Sequence, residues 1–505
     1  MEDFMKKRLT AILLLIAMLA SCGTTTVPDE TNASDSSADV VSAETESDIP
    51  EETAEPSGLP DMNWDGREFR VLGFENTTYT QFSNFEIDSD GETGEVVNDA
   101  VFRRNTALED KYGVEIVQTL DSSTTDNDAA TREQIRTAVN AGEDLYDLVF
   151  TTMKSSGTLA REGMFYNMNN VEYINFTKNW WNQGVNDVLE ISDRLYFTNS
   201  DFSLRDKSRT YILVYNKNLV DQNNLGDPFQ LVREGKWTID TMTEWAKAVG
   251  KDVNGNGQVD FDDRFGVAFD SYNGFRTFAF GCGAEIIKNN NGAMELVLNS
   301  ERTVDIIDKV LAFFTQDYVG TTCEVWDGKV GFDKWGVASR LFKEGRLLFA
   351  ITFPHTLAGY SAECVDDYGI LPLGKYDEEQ EKHYTYADSF SMLFGIPSST
   401  PAPEFSGFMI EALSHASQTT TLPAYYEITC KTKYTYDPQS AEMLDLIFDG
   451  IVFDPAMIYN VEGASTIFTD IAKSGKNNFA SSYKQIEKKA KVSISRIVKD
   501  IESFE

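Results

Sequence analysis

A twelve-residue loop from Asp252 to Asp263 carries the sharpest chemical signal in the chain. Oxygen-bearing side chains stand at loop positions one, three, five, nine and twelve, and Gly257 at position six permits a tight turn. A hard cation such as Ca²⁺ takes about six to eight oxygen ligands, and one loop of this length can wrap them around it. The loop therefore predicts a calcium site, with these ligands: Asp252, Asn254, Asn256, Gln258 through its backbone carbonyl, Asp260 and Asp263.

The same loop has a second interpretation. Asn, Asp and Gly also build turns without metal, because their short side chains hydrogen-bond to the nearby backbone or permit left-handed conformations. If calcium binds, a single loop without a partner favours a structural role, since calcium sensors open a pair of helices.

The N-terminal segment could be chemically modified. Lys6, Lys7 and Arg8 precede an apolar run at residues 10–19 that is too short for a permanent membrane span, and small residues lead to Cys22. The pattern resembles bacterial lipoproteins. It predicts that residues 1–22 are a signal peptide ending in a lipobox, that Cys22 is lipidated, and that the mature chain is anchored on the extracellular face of the membrane. The alternative is a buried apolar helix that ends in cysteine by chance.

The composition and charge limit the domain organisation and the partners of the rest of the chain. Residues 23–60 contain ten acidic residues and no Lys or Arg, which predicts a disordered spacer. The remaining part of about 445 residues is long enough for two lobes. A formal net charge of −37 argues against nucleic acid and anionic lipid headgroups as partners. No later apolar run reaches membrane-span length, so we expect the lipid anchor to be the only membrane contact. The later cysteines can form two disulfides or stay free: Cys282, Cys323, Cys364 and Cys430.

The folded part begins with alternating strands and helices. Residues 68–72, 114–118 and 145–150 read as strands, and the two segments between them read as helices, of which Gly113 can end the first. This order predicts a parallel α/β sheet whose binding loops leave the carboxyl ends of the strands. Those loops contain the candidates Glu75, Thr151, Thr152 and Met153.

A second region follows. Residues 211–216, 346–352, 368–372 and 390–397 read as strands, and a helix containing Trp245 can be capped by Asp240 or Thr241. Apolar residues at helical spacing between Tyr483 and Ile501 predict a C-terminal helix at residues 471–505. Its eight Lys or Arg against four acids favour packing on an acidic body over membrane binding.

Several of these segments together resemble a known family. They are residues 97–105, 235–238, the loop at 252–263, residues 264–267, and residues 425–445. The chain is similar over roughly residues 65–470 to sugar-type (family 1-like) extracellular solute-binding lipoproteins of ABC importers. The resemblance identifies the family but not the solute.

The resemblance implies a two-lobe periplasmic-binding-protein-like α/β fold (type II) with discontinuous lobes joined by hinge strands. We expect residues 65–200 and 390–470 in the first lobe and residues 205–385 in the second. It also implies a monomer that captures a carbohydrate, with an oligosaccharide expected, and delivers it to an ABC permease. A peptide or another polar solute is the alternative ligand. The candidate ligand-binding residues are Glu75, Thr151, Thr152, Met153, Asp201, Tyr272, Asn273, Phe275, Arg276 and His355.

Each candidate also has a purely structural interpretation. Tyr272 and Phe275 can be core aromatics, Arg276 can form an ion pair, and the threonines can cap a helix. A sugar nevertheless suits such residues, because its hydroxyls pair with polar groups and its C–H faces pack on aromatic rings.

Enzyme interpretations have less support. The chain has three histidines and lacks the H-E-x-x-H, G-x-S-x-G and G-x-x-x-x-G-K motifs. We therefore expect a binding protein and not an enzyme. A glycosidase that uses two carboxylates is the alternative, as is an adhesion or scaffolding lipoprotein that does not transport.

Overall fold

The strands of the protein form two main sheets and two small two-stranded sheets in the computed structural model, which describes residues 55–125, 127–290, 292–433, 435 and 437–504. The predicted signal peptide, Cys22 and most of the spacer lie outside the described residues. The described strands are β1 (Arg67–Asn76), β2 (Val114–Ser123), β3 (Leu148–Thr152), β4 (Ile212–Asn216), β5 (Phe265–Phe269), β6 (Ile287–Asn290), β7 (Ala293–Leu296), β8 (Gly320–Thr322), β9 (Leu347–Thr352), β10 (Tyr368–Leu371), β11 (Thr385–Tyr386), β12 (Met392–Gly395) and β13 (Ile451–Val452).

The helices of the described residues alternate with these strands. In chain order they are α1 (Val96–Tyr112), α2 (Ala129–Ala141), α3 (Met153–Arg161), α4 (Gln183–Leu189), α5 (Arg205–Ser208), α6 (Lys217–Gln222), α7 (Pro228–Arg233), α8 (Ile239–Val249), α9 (Gly274–Gly281), α10 (Glu301–Thr315), α11 (Val337–Lys343), α12 (Leu357–Glu363), α13 (Pro403–Ser417), α14 (Thr421–Pro423), α15 (Pro438–Asp449), α16 (Pro455–Ile458), α17 (Ile467–Ser474) and α18 (Phe479–Glu502). A π-helix spans Ala424–Lys433.

The first lobe is built on a four-stranded sheet with the order β12-β3-β1-β2. β1 pairs in parallel with β2 and β3, which confirms the parallel sheet predicted from the alternating elements. β12 adds an antiparallel edge to β3, although it lies far along the chain. Gly113 ends α1 in the left-handed conformation (φ 60°), as predicted, because a residue without a side chain adopts it at little cost.

The second lobe is built on a five-stranded sheet with the order β10-β4-β9-β5-β8. β5 pairs in parallel with β8 and β9, and β4 is antiparallel to β9 and β10. The cap of α8 differs from the expected Asp240 or Thr241. Thr238 accepts the hydrogen bond from the Thr241 backbone N–H at 3.2 Å, because the helix already begins at Ile239.

Two chain segments pass side by side between the sheets. Thr210 and Ala387 form an antiparallel bridge, the Tyr211 N–H donates to the Tyr386 carbonyl at 3.3 Å, and the Asp388 N–H donates to the Arg209 carbonyl at 3.0 Å. We call residues 209–211 and 386–388 the hinge.

The C-terminal part contacts both lobes. α15 packs on β10 of the second lobe, where the Ile370 N–H donates to the Ser440 hydroxyl at 3.0 Å, although we expected residues 390–470 in the first lobe. α18 buries the predicted stripe: Tyr483, Ile486, Ala490, Ile494, Ile497 and Ile501. None of the helices in the described ranges is both long and apolar enough to cross a membrane.

Candidate functional site

A large cleft of about 1240 Å³ is lined by residues of both lobes and the hinge. The first lobe contributes Tyr79 and Phe82, which follow β1. The second lobe contributes the loops that leave the carboxyl ends of β5, β8 and β9, where α/β sheets commonly bind ligands. Residues 332–339 complete the second-lobe side of the cleft.

The most exposed aromatic side chains gather in this cleft. Among the described residues, four aromatic rings are exposed over more than a third of their surface, and all four line it: Tyr79 (54%), Tyr272 (43%), Phe332 (39%) and Trp335 (57%). Exposed aromatic surface is costly in water and is typical of ligand sites. The cleft therefore offers flat apolar faces to a solute from both lobes.

A buried polar cluster lies at the hinge side of the cleft. Asp388 accepts a hydrogen bond from the Tyr211 hydroxyl at 2.6 Å and pairs with the Arg209 guanidinium at 3.1 Å. Burial acts to raise the pKa of the Asp388 carboxyl, but the charges of Arg209 and Arg276 outweigh burial and lower it. Asp388 is thus a carboxylate at neutral pH, and it joins the two hinge segments.

His355 presents a neutral ring to the cleft. Its Nδ1 lies 3.2 Å from the Ser208 carbonyl, which can only accept, so Nδ1 carries the hydrogen. Burial lowers the pKa of His355 to about 3, and nearby Arg209 adds to the effect. Nε2 is therefore an acceptor, and it has no hydrogen-bond partner within the described part of the chain.

Carboxyl groups supply the other polar lining. Glu324 accepts from the Ser271 hydroxyl at 2.9 Å, Asp270 accepts from the Asn273 N–H at 2.6 Å, and Asp333 accepts from the Trp335 N–H at 2.9 Å. These three acids form no ion pair with any described residue. Burial first, and then Glu324, raise the pKa of Asp270 to about 6. The cleft is thus rich in acceptors for hydroxyl groups.

The structure brings three of the predicted ligand residues to the cleft: Tyr272, Asn273 and His355. Arg276 lies behind them, nearly fully buried, where it donates to Asn273 and its guanidinium carbon lies 4.7 Å from the centre of the Tyr272 ring. Phe275 is a core residue beside Phe314. Both therefore support the cleft wall from behind.

The other predicted ligand residues lie outside this cleft. Glu75 contacts Ser122 on β2, and Asp201 accepts from Gln418 at 3.1 Å. Thr151, Thr152 and Met153 are buried at the end of β3. β12 pairs with Thr151 and Thr152, and the Met153 N–H donates to the carbonyl of Ser391, just before β12, at 3.0 Å.

The sequence interpretation missed Trp335 and Phe332. Both stand in a short segment, residues 327–336, that otherwise consists mainly of Gly, Asp and Lys. Large aromatics in such a turn-rich segment cannot all be core residues, and this contrast is the signal that could have identified them.

The predicted calcium loop joins α8 to β5 in the second lobe. Gly255 and Gly257 adopt left-handed conformations, and the Asp252 carboxylate accepts from both of their N–H groups at 2.6 and 2.7 Å. The side chains of Asn254 and Asn256 converge on one oxygen of Asp260, at 2.8 and 2.5 Å. The loop thus already has a wrapped form.

The oxygen atoms that the loop offers as ligands determine which metal it could bind. Within the described ranges, no three His, Cys, Asp or Glu side chains are grouped closely enough to hold an ion. Carboxylates alone therefore do not make a site here, and calcium would also need the amide oxygens of Asn254 and Asn256 and the Gln258 carbonyl. An oxygen-only set of this kind fits Ca²⁺.

The four later cysteines are free in the described structure. Cys282, Cys323 and Cys430 are buried, and Cys364 is half-buried. This settles the alternative left by the sequence in favour of thiols.

Solved structures with the same fold have sugars bound. A cyclo/maltodextrin-binding protein complexed with maltotetraose is 16% identical, with a TM-score of 0.52 over 88% of this chain and 97% of the other. An ABC substrate-binding protein from Listeria monocytogenes in complex with cycloalternan is 15% identical, with a TM-score of 0.51 over 87% and 100%. These likenesses confirm the two-lobe periplasmic-binding-protein-like fold.

The sequence also matches a protein family directly. No curated protein matches the chain. The family described as bacterial extracellular solute-binding protein matches residues 106–442, which is more than half of the chain and includes most of the cleft loops. The chain therefore belongs to the family of bacterial extracellular solute-binding proteins.

Proposed function

We propose that the protein captures an oligosaccharide in the cleft between its lobes and delivers it to the transmembrane subunits of an ABC permease. The observation that carries this proposal is the collection of exposed aromatic rings, Tyr79, Tyr272, Phe332 and Trp335, in one cleft. Sugar rings expose C–H faces that pack on such aromatic faces, while their hydroxyls need polar partners at the edge.

The polar groups of the cleft fit a hydroxyl-rich solute. Carboxylates and the Nε2 atom of His355 accept hydrogen bonds, and a sugar hydroxyl can donate to each of them. A partner left unmatched after burial costs about 1–3 kcal/mol, which lets the cleft discriminate between similar sugars.

The size of the cleft favours an oligosaccharide over a single sugar. Its 1240 Å³ exceeds the roughly 300–1,000 Å³ of sites for small ligands. The two solved proteins of similar fold were bound to maltotetraose and to cycloalternan, which supports the same class of solute for this chain.

A thermal-shift screen tests the proposal. A ligand at a hundred times its dissociation constant adds about 2.7 kcal/mol of stability, so a binding oligosaccharide should raise the melting temperature clearly. Amino acids, peptides and nucleosides serve as comparison classes. A shift with one of those classes and with no carbohydrate would contradict the proposal.

We further infer that the protein binds its solute without cleaving it. The family consists of binding proteins, which supports this view over the two-carboxylate glycosidase. Incubation with the bound oligosaccharide should release no reducing sugar, and release that depends on Asp270 or Glu324 would reverse the assignment. Loss of uptake of the labelled solute in cells without the protein would support delivery to a permease.

The anchor is a separate proposal, which rests on the sequence around Cys22. Lipidation of this cysteine would hold the mature chain at the extracellular face of the membrane. Cys22→Ala should shift the protein from the membrane fraction to the medium or to uncleaved precursor. Unchanged detergent partitioning of this variant would contradict the anchor.

Calcium in the loop at 252–263 is proposed as a structural clip. The left-handed glycines and the convergence of Asn254, Asn256 and Asp260 support it, because they form a wrapped loop lined by oxygen ligands. The loop lies outside the residues that line the cleft, so calcium would stabilise the second lobe without touching the solute.

A further inference from the structure

The outer face of α18 carries a row of lysines. Lys484, Lys488, Lys491 and Lys499 are exposed, and their spacing of four, three and eight residues places them on one line along the helix, opposite the buried stripe. At 1.5 Å per residue the row is about 22 Å long. Lys489 and Arg496 flank it and are also exposed. We call these six residues the basic face.

The positive charges of the basic face are mostly uncompensated. Of its six residues, only Lys491 forms an ion pair within the described structure, with Glu487 at 2.7 Å. Val492 lies among them with 52% of its surface exposed. The whole chain has a formal net charge of −37, so this face is opposite in sign to the rest of the molecule.

We propose that the basic face docks the protein on an anionic phospholipid bilayer. A row of flexible lysines suits a diffuse layer of phosphate headgroups, since each ammonium is a point charge without the fixed geometry of arginine. Val492 adds a small apolar contact at the same surface. This interaction is separate from solute capture, because none of the six residues lines the cleft.

The acidic body does not prevent this contact. At an ionic strength of about 0.1 M, charges are screened beyond roughly 10 Å, so the lysines at the contact dominate over acids farther away. The predicted lipid on Cys22 would hold the chain beside a bilayer, which favours a lipid surface over a second copy as the occupant.

Docking would orient the cleft. α17 packs against α18, and Ala472 and Lys473 of α17 line the cleft. A protein held by the basic face thus keeps its cleft at a fixed angle to the bilayer, where a tether alone would let it rotate.

Vesicle flotation tests the proposal. The full chain with Cys22→Ala, which lacks the lipid, is mixed with phosphatidylglycerol or phosphatidylcholine vesicles at low and high salt. In this background, changing Lys484, Lys488, Lys491 and Lys499 to Gln should weaken phosphatidylglycerol binding at least tenfold. Binding to phosphatidylcholine should not change, because all variants have the same N-terminal residues and any binding through those residues is equal.

A matched control changes four exposed lysines elsewhere, Lys154, Lys247, Lys288 and Lys329, to Gln. It has the same net charge and should bind phosphatidylglycerol like the parent. Equal losses in both variants, or no loss in either, would overturn the proposal. So would a change in the sedimentation of the basic-face variant without vesicles, since that would assign the face to self-association. Unchanged melting temperatures verify that both variants fold.

Discussion

Phe82 of the first lobe lies edge-on against the imidazole of His355 in the second lobe, with ring centroids 4.9 Å apart. The Arg209 guanidinium carbon lies 4.1 Å from the centre of the same Phe82 ring. One side chain from the first lobe thus touches both the second lobe and the hinge. This contact therefore connects the relative position of the two lobes to the hinge.

The ion pair at the hinge should be essential for stability. Asp388→Asn removes the carboxylate that pairs with the buried Arg209 guanidinium at 3.1 Å, and breaking a buried pair in this way costs about 3–5 kcal/mol at pH 7. Urea unfolding measures the change. Asp449→Asn, on the surface, should cost less than about 0.5 kcal/mol, and equal losses in the two variants would contradict the role of the pair.

The same pair predicts a pH dependence. Because the folded-state pKa of Asp388 is lowered, its stabilising effect is complete above the unfolded value of about 3.9 and is lost as the pH falls through the lower folded value. The stability difference between the wild type and Asp388→Asn should therefore shrink below about pH 4. A constant difference down to pH 2 would show that the charge is not responsible.

Tyr272 and Arg276 should respond differently to alanine. Tyr272 is exposed in the cleft, so Tyr272→Ala should weaken oligosaccharide binding at least tenfold and leave the melting temperature of the free protein unchanged. Arg276 is buried between Tyr272 and Tyr386, so Arg276→Ala should lower stability by about 2 kcal/mol or more. Calorimetric titration and thermal unfolding of both variants separate the two effects. A stable Arg276→Ala protein would contradict the supporting role.

Oligosaccharide binding should strengthen as the pH rises, because Asp270 in the cleft loses its proton. Burial raises its pKa to about 6, so the carboxyl loses its proton between pH 5 and 7 and becomes a better acceptor for sugar hydroxyls. The free energy of unfolding responds in the opposite direction. The stabilising contribution of Asp270 to the fold is complete below about pH 3.9 and is lost as the pH rises through 6. Affinity measured at pH 5, 6 and 7 should increase in the wild type and stay flat in Asp270→Asn. The same rise in both proteins would exclude Asp270 as its source.

Calcium should stabilise the second lobe without changing solute preference. Removal of calcium with a chelator should lower the melting temperature, and Asp252→Ala should abolish that response. Asp262→Ala is the matched control, because this exposed residue occupies a loop position that supplies no ligand. If metal-stripped protein has the same melting temperature with chelator as with added calcium, a structural role for calcium in this loop is contradicted.

Local patterns predicted the elements well. The parallel strands around Val71, the end of α1 at Gly113 and the buried stripe of α18 all follow from residue spacing. These features depend on neighbours in the sequence, and hydrophobic periodicity reports them directly.

Contacts between distant segments decided the rest. Thr151 and Thr152 stand at the end of a strand of the first lobe, as binding residues often do, but β12, more than two hundred residues later, pairs with them and buries them. The sequence predicted Arg276 as a cleft residue, but in the fold its guanidinium packs on the ring of the hinge residue Tyr386 and is buried. The position of Trp335 in the cleft likewise depends on how its loop packs against the five-stranded sheet, which no local pattern encodes.

Calorimetric titration of Trp335→Ala tests the account most directly, with the oligosaccharide that stabilises the wild type most. Trp335 is the most exposed aromatic ring of the cleft, so its loss should weaken binding at least tenfold, about 1.4 kcal/mol, and leave the melting temperature of the free protein unchanged. Leu145→Ala, which removes a similarly exposed apolar side chain outside the cleft, should bind like the wild type. Undiminished affinity in Trp335→Ala, or a wild type that binds no carbohydrate at all, would contradict the account.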